Sequence, residues 1–82
     1  MPLSDTVEYR TRQVVAEVFG LPIESVTPSS SHETIEEWDS LNLLNILMSV
    51  EGEFGVSVSP EEAAEFVSVE RILGVLRSKG VS

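Results

Sequence analysis

An 82-residue chain of formal charge −9 has room for one small domain that buries only about 60% of its unfolded surface, which leaves no large active-site cavity and weighs against an enzyme. Its basic residues are Arg10, Arg12, Arg71, Arg77 and Lys79, while twelve acids and no cation lie between Arg12 and Arg71. Such a surface repels nucleic acid and anionic membranes and draws basic protein patches toward itself.

There is no cysteine, so there is neither a disulfide framework nor a thiolate metal site, and the composition fits a cytoplasmic protein. The first twenty residues carry Asp5, Glu8 and Glu17 and lack an apolar core, so no signal peptide is expected. The most apolar run, Leu41 to Val50, is interrupted by Asn42, Asn45 and Ser49 and is too short to span a bilayer.

In chain order, Ser4 or Asp5 can cap a first helix, and Asp5 with Glu8 has capping-box spacing. Val7, Thr11, Val14, Val15 and Val18 then share one face, and Gly20 suits a left-handed helix end. The spacing predicts a helix over about 5–19. Residues 21–38 form a long connection with Pro22, Pro28 and the run Ser29-Ser30-Ser31. A connection of this length is usually functional or carries a short turn of its own. Leu21, Ile23, Val26 and Ile35 are expected to pin it. His32 is the only histidine and reads as a solvated loop residue.

A second helix is expected from Asp39 or Ser40 to about Phe54. At about 100° per residue, Leu43, Leu47, Val50 and Phe54 form a core stripe, and Asn42, Asn45, Ser49 and Gly52 the polar side. Leu41, Leu44 and Met48 fall between. Leu41 and Met48 flank Asn45 beside Ser40, either as half-exposed apolar contacts or as part of the core. Gly55-Val56-Ser57-Val58 reads as an extended linker. Ser59-Pro60-Glu61-Glu62 is a helix start with Pro at the first position and Glu at the third. It predicts a short helix over about 60–66, with Ala63, Phe66 and Val67 inward. Ser68 caps a last helix, about 69–79, whose Ile72, Leu73, Val75 and Leu76 face the core. The fold class expected is all-α, a small four-helix bundle of three main helices and a short third one, as a single domain over 1–82 with its core at about 5–78.

No phosphate loop, histidine or cysteine cluster, calcium loop or nucleophile–base pair is present. The carboxylate pairs Glu36/Glu37 and Glu61/Glu62 are adjacent in sequence and diverge on a helix. No catalytic residue and no metal site is expected. By itself, Ser40 reads as a helix cap.

The order of motifs is more specific. Trp38-Asp39-Ser40-Leu41 opens a helix and is followed by Leu43-Leu44, Met48 and Glu51-Gly52-Glu53-Phe54-Gly55. Val58-Ser59-Pro60-Glu61-Glu62-Ala63 and Ser68-Val69 come next. In this arrangement the chain resembles the acyl carrier protein family over about residues 5–78. The resemblance implies that Ser40 carries a covalent 4′-phosphopantetheine arm drawn from coenzyme A, and that Asp39 assists the modification. It implies that Leu41, Asn45 and Met48 help to dock partners. Those partners would be a phosphopantetheinyl transferase, acyl-activating or acyltransferase enzymes and ketosynthase-type enzymes, visited by a soluble monomer that enters no membrane and binds no nucleic acid. Fatty acid, polyketide and related lipid biosynthesis are the pathways implied.

Two departures bear on the pathway. Carriers of primary fatty acid synthesis usually have acids early in the second helix, where this chain has Asn42 and Asn45, and a small residue where it has Trp38. Both features look more like specialised carriers of secondary-metabolite, surface-polysaccharide or lipid-modifying pathways. A medium acyl chain between helices two and three, near Leu47, Val50, Phe66 and Val67, and a closed core remain alternatives. So do two other functions: a peptidyl, aminoacyl or aryl carrier, and an unmodified acidic interaction domain in which Ser40 only caps a helix.

Overall fold

The computed structural model describes residues 6–27, 29–31, 33–36 and 38–81. Among these residues four α-helices follow in order: α1 (Val7–Phe19), α2 (Ser40–Phe54), α3 (Pro60–Ala63) and α4 (Val69–Ser78). The long first connection carries a turn of 3-10 helix, Ile23–Ser25. Among the described residues the only extended pairing is an isolated antiparallel bridge between Ser31 and Ser68. This is the all-α bundle with a long first loop and a short third helix that the sequence implies.

Helix α1 begins later than expected. Thr6 is its cap, accepting the Tyr9 N–H at 3.1 Å. Three candidate capping residues stand in a row here, and the local pattern does not choose among them. Ser4 and Asp5, the expected caps, lie outside the described residues. Thr11, Val14, Val15 and Ala16 are buried. Thr11 enters the core without leaving a hydrogen bond unmet, because its hydroxyl donates to the Val7 carbonyl at 2.8 Å. The helix stops at Gly20, whose φ of 66° is readily open to glycine. The Gly20 and Leu21 N–H groups turn back to the Glu17 and Ala16 carbonyls.

Helix α1 packs against both α2 and α4. Its two arginines fasten the neighbouring elements. Arg10 donates to the Glu53 carboxylate at 2.9 Å and to the Glu53 carbonyl at 3.0 Å, with its guanidinium 4.7 Å from the Phe54 ring centre. Arg12 donates to the Val26 carbonyl at 2.7 Å. Val26 and Ile35 are buried and Leu21 and Ile23 partly so, which pins the long loop as its apolar residues suggest.

In α2, Ile46 and Val50 are fully buried, while Leu43, Leu47 and Phe54 are partly buried against the core. The expected stripe omitted Ile46. The inward direction is rotated toward it, because α2 meets its neighbours along one flank of its apolar arc rather than at the arc's centre. The linker after Gly55 forms neither helix nor strand, and the Val58 N–H donates to the Glu51 carboxylate at 2.8 Å.

The capping box of α3 forms in both directions, between the Ser59 hydroxyl and the Glu62 N–H and between the Glu62 carboxylate and the Ser59 N–H. The α-helix ends at Ala63, however, short of the expected residue 66. From there the Glu65 and Phe66 N–H groups bond carbonyls three residues back, a tighter winding common at helix ends. Phe66 is fully buried. Ser68 caps α4 by accepting the Arg71 N–H at 3.1 Å, and Val69, Ile72, Leu73, Val75 and Leu76 form its buried face. That helix ends at Ser78, with Lys79 as its cap residue.

Lys79 joins the end of α4 to α3, with its ammonium 2.8 Å from the Glu62 carboxylate. The Lys79 hydrogen bond, and after it the Ser59 N–H, hold the Glu62 carboxyl below its ordinary value. A carboxyl whose pKa is lower in the folded state stabilises the fold in full above its unfolded value, and that contribution is lost as pH falls through the folded one. Thermal unfolding followed by circular dichroism between about pH 5 and pH 3 is therefore expected to show a shallower acid-side loss in Lys79→Met than in the wild type.

Candidate functional site

The junction between the long loop and α2 is built from both sides of the bundle. Trp38 is buried at 6% exposure. Its indole Nε1–H donates to the Phe66 carbonyl at 3.0 Å and its backbone N–H to the Ile35 carbonyl at 3.0 Å. Its ring lies 5.5 Å from that of Phe19, at the end of α1. The sequence marks Trp38 as unusual but assigns it no partner, because Phe66 is remote in the chain.

Asp39, directly after this anchor, is exposed and extended, with φ −116° and ψ −175°. Its Oδ1 accepts the Asn42 N–H at 3.0 Å and its carbonyl accepts the Leu43 N–H at 2.9 Å. Asp39 is thus the cap, and Ser40 is the first helical residue. The reading of Ser40 as the cap is overturned, since the carboxylate one residue earlier holds that role. Glu33 and Glu36 are exposed in the approach to the junction. Glu37 and His32 lie outside the described residues. Four of the five cations are paired elsewhere: Arg10, Arg12, Arg71 and Lys79 bridge to Glu53, Glu8, Glu65 and Glu62.

Beyond Ser40, α2 displays apolar residues to solvent. Leu41 is 72%, Leu44 58% and Met48 62% exposed. At about 100° per residue, Met48 stands roughly half a turn from Ile46 and Val50, so these residues hold the outward pole of the helix rather than its flanks. Leu41 and Met48 lie at the surface, so the alternative that they belong to the core does not hold. Leu44 joins them; its position one helical turn after Ser40 was the available signal. Asn45 is exposed, and its side-chain amide donates to the Asn42 side-chain carbonyl at 3.1 Å.

Near the expected acyl position, Val50 and Phe66 are fully buried and Leu47 and Val67 partly so. Two surface grooves among the described residues lie elsewhere. One, of about 540 Å³, runs between α3 and α4 past Glu61, Ser68 and Gly74. The other, of about 490 Å³, lies between the start of α1 and the end of α4.

The first turn of α2 presents N–H groups that have no carbonyl a turn behind them. No acid follows the cap within that turn. An anion joined at the helix start would meet the positive end of the dipole of a 15-residue helix. The residues present therefore fit a phosphodiester at this point. The family described as phosphopantetheine attachment site matches residues 10–76. That is well over half of the chain, and the chain belongs to this family, whose domain is the place of covalent 4′-phosphopantetheine attachment. Among the described residues no helix is long and apolar enough to cross a membrane.

The cap assignment has a direct consequence. Asp39→Ala is expected to lower unfolding stability by about 1 kcal/mol in urea titrations, while Ser40→Ala, which removes no cap, stays within about 0.5 kcal/mol of the wild type.

Proposed function

We propose that this member of the phosphopantetheine attachment family is a discrete acyl carrier protein whose arm is joined at Ser40. The observation that carries the reading is the position of Ser40: a hydroxyl residue at the first position of a capped helix, next to exposed Leu41. In a transferase the Ser40 oxygen would form the new bond to phosphorus. The phosphorus–oxygen bond to the adenosine-bearing half of coenzyme A would break, and the serine proton would leave to a base of the transferase. When bound, the arm supplies a terminal thiol that holds acyl groups as thioesters, the chemistry a cysteine-free chain lacks. Asp39 serves by fixing the helix start and by placing a carboxylate beside the reacting serine, where the transferase's metal can use it.

In this reading the protein is a substrate and shuttle, and catalysis belongs to its partners. Leu41, Leu44 and Met48 supply apolar contact, and Asn45 a neutral polar one, toward the transferase, acyl-activating and ketosynthase-type enzymes. The acidic approach through Glu33, Glu36 and Asp39 draws basic patches on those partners. Asp39 and the charge of −9 favour an acyl over a peptidyl or aminoacyl carrier. The Asn42–Asn45 pair, in place of acids early in α2, favours a specialised lipid or polyketide pathway over primary fatty acid synthesis. An unmodified interaction domain that keeps Ser40 as a helix cap loses its support, because Asp39 does the capping.

Incubation with coenzyme A, magnesium and a promiscuous phosphopantetheinyl transferase is expected to add one phosphopantetheine group by intact mass, and none to folded Ser40→Ala. Absence of the gain in folded wild type would remove the carrier reading. Asn42→Asp combined with Asn45→Glu is expected to raise turnover by a general fatty acid ketosynthase system; an unchanged rate removes the pathway argument.

A further inference from the structure

We infer that Trp38 is a positioning residue for the modification of Ser40, acting through the Asp39 cap. The inference rests on the reading of Ser40 as the attachment residue. A nucleophile at a loop-to-helix boundary is placed only as well as the backbone entering the helix is held. Here the loop side is rich in exposed polar residues, with Glu33, Thr34 and Glu36 all facing solvent. Trp38 interrupts that loop with a point fixed from three directions. The Phe66 carbonyl holds the indole, the Phe19 ring lies against it, and the Ile35 carbonyl takes its N–H. Both Trp38 and Phe66 are buried, so water does not compete readily for the indole bond. Asp39 and Ser40 follow with no intervening residue to absorb slack. Any looseness at Trp38 is passed to the cap, and from the cap to the start of the helix.

The substitution Trp38→Phe keeps an aromatic ring in the core and removes the Nε1–H donor. Ile72→Val, in the buried face of α4, serves as a stability control away from the junction. All proteins are assayed where each is fully folded. In the transferase reaction, Trp38→Phe is expected to lower kcat about tenfold, as a misplaced reacting atom does, with KM changed less than about twofold, because Leu41, Leu44 and Met48 remain on the helix. Hydrogen exchange of the Asn42 amide, the one Asp39 caps, is expected to quicken in the unmodified Trp38→Phe protein. Ile72→Val is expected to match the wild type in both measurements. Phe19→Leu, which loosens the same ring and keeps the indole donor, is expected to give a smaller shift in both and serves if Trp38→Phe does not fold.

A wild-type kcat in Trp38→Phe, or an equal loss in Ile72→Val, overturns the positioning role, as does unchanged Asn42 exchange. Failure of the wild type itself to be modified is a different result. It removes the attachment reading, while the exchange comparison still decides whether Trp38 holds the cap.

Discussion

A carbonyl group in a protein core has to find a donor, and the Phe66 carbonyl lies in the segment where α3 has stopped being an α-helix. Left unmet, it would cost about 1–3 kcal/mol, a large share of what so small a domain has in reserve. The Trp38 indole meets it at 3.0 Å. Much of the bundle serves to bring these two groups together. The capping box at Ser59 and Glu62 starts α3, and the Lys79 ammonium ties that start to the end of α4. The Schellman turn at Gly20 stops α1 with Phe19 beside the indole. Arg12 holds the loop at Val26. The start of α2, and with it Ser40, is located by contacts from the end of α1 and from the segment that follows α3.

The signals that were legible in the sequence are those that act within a few residues. Ser59-Pro60-Glu61-Glu62 and Ser68 start helices because their hydroxyls reach an amide three residues on. Gly20 and Gly55 end them because a positive φ suits glycine, and both adopt one. Local reasoning goes astray where several residues qualify or where a distant partner decides. Thr6 rather than Asp5 caps α1. α3 stops at Ala63 although Glu-Ala-Ala-Glu favours a helix, since the chain turns there to bury Phe66 and to reach the Ser31–Ser68 bridge. No periodicity predicts that an indole at Trp38 will bond the Phe66 carbonyl, because the two lie on elements that meet only after folding.

The wheel of α2 shows a further limit of sequence reading. Its apolar residues cover both an inward arc, Ile46 and Val50, and an outward one, Leu41, Leu44 and Met48. A hydrophobic helix of this pattern is compatible with full burial or with a docking face. Packing resolves the choice: α1 takes one side, the polar pair Asn42–Asn45 lies toward the other, and the remaining leucines and methionine are left at the surface.

In the carrier reading, this surface divides encounter from residence. Glu33, Glu36 and Asp39 attract a basic partner through a field that salt screens over about 8–10 Å, and exposed charges of this kind act mainly on the rate of association. Leu41, Leu44 and Met48 act only on contact, at roughly 25 cal/mol per Å² of apolar surface removed from water, a term that salt at physiological strength leaves largely intact. A shuttle has to arrive often and leave often. Three apolar side chains on one helix limit how long a partner is held. Acids placed before the serine rather than early in α2 guide the partner to the junction without adding ion pairs beside it. The neutral Asn42–Asn45 pair then serves discrimination: a partner that relies on ion pairs along this helix finds a hydrogen-bonded amide there, and its own cations go unmatched.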